Sequence, residues 1–153
     1  MRIRVSLLLV LTIGLSACTN FGQQAESDAI DKATSGARET AAHVQQSLLV
    51  ELRTQAFADT LKSLPVSFPS GVVTVLDSSH DPAGAFTARL VVIGSGEGSG
   101  GGFEQQAAVR LCLSYTGVVG PNDRVDMAGT DCPAGLPTYV NGVQVGQNVT
   151  LGK

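Results

Sequence analysis

Three cysteines, two histidines and thirteen carboxylates are the side chains of this 153-residue chain best suited to chemistry. Their spacing argues against most reactions. His80 stands beside Asp81, which could orient its imidazole, but adjacent residues in a turn-rich stretch are ordinarily a solvated pair. Neither Ser95 nor Ser99 lies in a G-x-S-x-G elbow, because Ile93 and Glu97 occupy the positions two before them. Asp123, Asp126 and Asp131 are close in sequence but lack the D-x-D-x-D-G spacing of a calcium loop. Gly96-Glu97-Gly98-Ser99-Gly100-Gly101 formally matches G-x-G-x-x-G. A dinucleotide site needs a helix next, whose N-terminus faces the pyrophosphate, whereas the residues after Gly102 alternate like a strand. The residues therefore assign no catalytic, cofactor-binding or metal-ligating group.

The remaining chemistry is at the N-terminus. Arg2 and Arg4 precede an apolar run over residues 5–15, broken only by Ser6, Thr12 and Gly14. The run is shorter than the ~20 apolar residues that span a bilayer. A basic segment, a short apolar segment and small residues in that order read as a signal peptide, residues 1–17, which does not belong to the fold. Leu15-Ser16-Ala17-Cys18 then resembles the lipobox of bacterial lipoproteins. The resemblance covers residues 1–18 and does not extend into the rest of the chain. It implies a diacylglycerol thioether on Cys18, cleavage before it and acylation, typically palmitate, of the new terminus. Two acyl chains give stable anchoring where one gives only marginal binding. The expected location is the outer side of the cytoplasmic membrane or the outer membrane. The alternative is an ordinary secretory signal with an incidental cysteine.

Assigning Cys18 to lipid leaves Cys112 and Cys132, an even number in an oxidising compartment, and so a disulfide is expected between them. Without Arg2 and Arg4 the chain has eight Lys and Arg against thirteen Asp and Glu, a net of −5. The charges are scattered and form no basic patch, which excludes nucleic acid as the expected partner.

Three zones must position these residues. Residues 18–36 are polar and Ala-rich and read as a lipidated tether, helical or disordered, with Gly36 weakening any helix by ~1 kcal/mol. Residues 37–64 read as an amphipathic helix. Its stripe is Ala37, Ala41, Val44, Leu48 and Leu52, continued by Phe57, Leu61 and Leu64, opposite Arg38, Gln45, Gln46 and Asp59. Pro65 ends it.

From residue 66 Val and Thr rise and Gly and Pro punctuate. Strands are expected over 72–77, 86–93, 104–115 and 124–129, with a flexible Gly/Ser-rich loop over 94–102. In the third strand Ala107, Val109, Leu111, Leu113 and Tyr115 share one face, and Ala108, Arg110, Cys112, Ser114 and Thr116 the other. A hairpin about residue 120 would set residue 128 opposite Cys112 and leave Cys132 within reach. Asn141-Gly142 suggests a type I′ turn within 139–145.

The expected fold is α+β: an N-terminal amphipathic helix over residues 37–64 on a small antiparallel meander of about four strands. One sheet face is expected to be solvated and one disulfide formed. Such a domain, residues 37–153, suits binding of an envelope protein or polymer better than catalysis. A structural accessory role in an envelope complex is the alternative, and an extracellular enzyme a more distant one.

Overall fold

The computed structural model describes residues 5–51, 61, 71–118 and 124–152, with side chains over 21–50, at 61 and over 72–118 and 124–152. Helix α1 (Val5–Glu51) precedes β1 (Gly71–His80), β2 (Ala85–Gly100), β3 (Phe103–Val118), β4 (Arg124–Gly129), β5 (Tyr139–Val140) and β6 (Val143–Val149). The helix lies on one face of a six-stranded mixed sheet of order β1-β2-β3-β6-β5, with β4 also paired to β3. The four-stranded antiparallel meander is thus corrected to a mixed sheet. Strand β3 is its spine: β2 covers one edge over all sixteen residues, and the other edge is divided between two strands. β4 pairs antiparallel with 113–118, and β6 pairs parallel with 108–111.

The stripe read from sequence faces this sheet, for Ala37, Ala41, Val44 and Leu48 are fully buried and Leu61 nearly so. Leu52, Phe57, Asp59 and Leu64 lie outside the described residues. Arg38 and Gln46 are exposed, whereas Gln45 is half-buried and its Nε2 donates to the Val125 carbonyl at 2.6 Å. Val109, Leu111, Leu113 and Tyr115 meet the helix from β3, and Leu90 and Val92 from β2. The Tyr115 hydroxyl donates to the Ala41 carbonyl at 2.8 Å, and burial pushes its phenol well above the ordinary value.

Two expectations change along α1. Residues 21–36 are helical, one of the two expected forms, but they are not a tether free of the sheet: the helix continues through Gly36, and Ala25, Ala29 and Ala33 are fully buried. The segment 94–102 is not a flexible loop either. β2 runs to Gly100, and only Gly101 and Gly102, both at positive φ, make the hairpin turn. The two corrections have one cause. Gly94, Gly96 and Gly98 face the helix, and a Cβ on each would fall on the carbonyl oxygen of Ala33, Ala29 and Ala25 respectively. Two residues of strand advance ~6.7 Å and four residues of helix ~6.0 Å, so every second glycine meets every fourth alanine. Glycine is a weak strand former, but here it admits a second backbone.

The other sheet face is not left to solvent. Val91, Ile93, Ala108 and Cys112 form a second buried cluster, covered by Leu76, Leu136, Val140, Val143 and Val145. The covering segment is held by the Cys112–Cys132 disulfide, with Cα atoms 5.3 Å apart, as expected from the cysteine count. It is also held by Arg110, whose guanidinium donates to the Pro137 carbonyl. The hairpin register sets Leu113 opposite Gly129, and the Thr130 amide donates to the Cys112 carbonyl, two residues beyond the expected partner 128. Asn141 (φ 52°) and Gly142 (φ 81°) form the left-handed pair expected between β5 and β6.

Candidate functional site

The division of the β3 edge creates a cleft. β4 runs down that edge and ends at Gly129, opposite Leu113, while β6 runs up it and ends at Val149, opposite Leu111. The carboxyl ends of both strands therefore converge on Cys112 from opposite directions. Between them is a cleft of about 660 Å³, lined by Cys112, Gly129, Thr130, Asp131, Val149, Thr150, Leu151 and Gly152. It is a groove open to solvent rather than an enclosed cavity. Its distal wall is fixed by Arg38, whose Nε and Nη2 donate to the Thr150 carbonyl at 3.2 and 3.0 Å, tying the C-terminal segment to α1. Leu151 packs into the helix-side core, and the disulfide anchors the opposite wall. Among the lining residues, the Thr130 and Thr150 hydroxyls can both donate and accept hydrogen bonds, and the Asp131 carboxylate can accept them.

The residues weighed in the sequence fall elsewhere or act structurally. Asp81 Oδ1 accepts the amides of Ala83 and Ala85, both at 2.9 Å, and so shapes the β1–β2 hairpin. Asp126 pairs with Arg124 on β4 at 2.8 Å, Asp123 lies outside the described residues, and Asp131 lines the cleft. Among the described residues no three His, Cys, Asp or Glu side chains converge as metal ligands. His43 lies on α1, its Nε2 3.8 Å from Glu39, far in sequence and on a different element from His80. The G-x-G-x-x-G match lies in β2 and its hairpin and is followed by β3 rather than a helix. Arg89 hydrogen bonds to Asp77 across the β1–β2 pair and holds its carboxylate below the ordinary value. Cys18 lies within α1, three residues before Phe21.

The cleft was not legible in the sequence. Gly129 reads as the end of a strand and nothing local marks Val149 to Gly152, and only the parallel β3–β6 pairing brings the two segments together. No protein-family model, curated protein or solved structure matches the chain. Among the described residues no helix is long and apolar enough to cross a membrane.

Proposed function

We propose that the chain is an exported lipoprotein, anchored through acyl groups on Cys18, whose domain binds an envelope protein or polymer. The observation that carries the reading is the Cys112–Cys132 disulfide. It pairs two of three cysteines, as an oxidising compartment favours, and leaves Cys18 alone behind Leu15-Ser16-Ala17. The groove beside the disulfide supports the binding role, since its two walls are held by the disulfide and by Arg38 and its lining carries hydroxyl and carboxylate groups. An accessory role in a larger complex draws support from the outer face of α1, where Gln46 and the 65% exposed Val50 are presented.

Metabolic labelling with an alkyne fatty acid, followed by mass analysis of the N-terminal peptide, tests the anchor. Label is expected on the wild type and lost in Cys18→Ser. A photo-crosslinking residue placed in turn at Asp131, Ser99 and Gln46 in the native cell tests the binding role. Protein or polymer adducts concentrated at position 131 are expected. A recurrent protein adduct at position 46 alone would favour the accessory role, and no adduct at any position would overturn both.

A further inference from the structure

Because α1 packs on β2 as far as the hairpin tip, the end of the domain nearest Cys18 has a defined surface. Phe21 and Phe103 are both 44% exposed there. They lie on the same side of the sheet. Phe103 pairs with Gly100 in the unbroken β2–β3 register, in phase with Val109, Leu111 and Leu113, which face α1. A Cβ on Gly100 would lie 3.2 Å from the Phe21 carbonyl oxygen, and one on Gly101 would strike the Phe21 ring. The tip is also uncharged: residues 19–25 and 98–103 contain no Asp, Glu, Lys or Arg, and the charged surface begins with Glu26, Glu97 and Glu104. Cys18 precedes Phe21 by three helical residues, a rise of ~4.5 Å.

We infer that this tip is a lipid-contacting surface: Phe21, Phe103 and the Gly100–Gly102 turn rest in the interfacial layer of the bilayer that carries the acyl chains. The inference rests on the proposed lipidation of Cys18. Acyl chains one helical turn from Phe21 leave too little chain for the domain to float free, and they bring the uncharged aromatic tip to headgroup level. A phenylalanine ring presented at that level gains by burying into the headgroup/acyl boundary, as the apolar faces of interfacial elements do. The mostly helical, packed connection then holds α1 upright. The cleft at Cys112, nine residues up β3 from Phe103, stands ~30 Å from the bilayer. The lipid anchor thereby sets the height and orientation of the binding site as well as its location.

The chain contains no tryptophan, so single-tryptophan variants report position without background. Phe21→Trp, Phe103→Trp and, at the far end of β3, Val118→Trp are purified as the full exported protein. They are then reconstituted in phosphatidylethanolamine/phosphatidylglycerol vesicles containing lipid brominated near the headgroup. Val118 is 49% exposed and ~50 Å along the strand from Phe103. Emission from F21W and F103W is expected to shift to the blue and fall roughly two-fold with brominated lipid, while V118W is unchanged. Flotation without quenching at positions 21 and 103 would overturn the tip contact and leave the anchor intact. Quenching at all three positions would mean that the domain lies on its side, which also overturns it. Failure to float, with no acyl mass on Cys18, would overturn the anchor and this inference together.

Discussion

Helix α1 meets one sheet through two interfaces of opposite construction. Toward its C-terminal half, Val44 and Leu48 pack with Leu90, Leu111, Leu113 and Tyr115, and apolar area removed from water holds the layers together. Toward the hairpin tip, Ala25, Ala29 and Ala33 oppose Gly94, Gly96 and Gly98, and the backbones themselves are in contact. Burial of a leucine contributes ~2 kcal/mol and that of a methyl well under half as much, so the second interface gains little per residue from area. Its stability comes from many close contacts between atoms that lose almost no side-chain entropy. The large-residue half should therefore be sensitive to deletion and the small-residue half to addition.

The largest effect expected is from Gly96→Val. The new side chain meets the backbone of Ala29 and Ala33, which cannot give way, and a loss of about 3 kcal/mol or more is expected in urea unfolding. Ser95→Val, exposed on the opposite face, should be nearly neutral. Equal effects at the two positions would dissolve the distinction between the interfaces. Leu111→Ala probes the other half by deletion and should cost about 3 kcal/mol, whereas Ala29→Gly should cost only about 1.

Removing the disulfide as Cys112→Ala/Cys132→Ala tests whether the back-face cluster is a third, separately held region. About 3 kcal/mol is expected from a loop of 20 residues. Hydrogen exchange should rise first in residues 132–145 and leave the β2–β3 amides under α1 protected. Loss of protection on both faces at once would join the regions into one.

Thr40 lies between the alanine stripe and Val44, fully buried, with no hydrogen-bond partner for its hydroxyl among the described residues. Thr40→Val should raise stability by about 1 kcal/mol, and Tyr115→Phe should lower it by a similar amount, because Tyr115 has a partner in Ala41. A thermal shift of the same sign for both would show that hydrogen-bond satisfaction does not decide this boundary. The smallest effect lies on the exposed β1–β2 pair. Asp77 is held below its ordinary value by Arg89, so its contribution is present above the unfolded pKa and is lost as pH falls through the folded one. The stability difference between wild type and Asp77→Asn should therefore shrink on acidification, and a difference independent of pH would remove the ion pair from consideration.

Much of this was readable residue by residue. The strand starts, the Asn141–Gly142 turn and the face assignments in β3 follow from alternation and turn chemistry that neighbouring residues carry among themselves. The disulfide follows from counting thiols. β4 matches its expected bounds because Val125 and Met127 alternate with polar residues. The cleft was not readable, since its walls come from segments twenty residues apart in sequence, joined by a parallel pairing that no local signal specifies.

The sequence alone determined which stretches are helix and strand wherever branched or aromatic side chains set the period, and it marked Cys112 and Cys132 as partners. Tertiary structure alone decided that a glycine tract is a strand, that the helix over residues 21–36 packs on the sheet and that the second sheet face is covered. The physical reason is common to the first two. A glycine or an alanine carries almost no pattern of its own, and its meaning is fixed by the backbone that comes to lie against it.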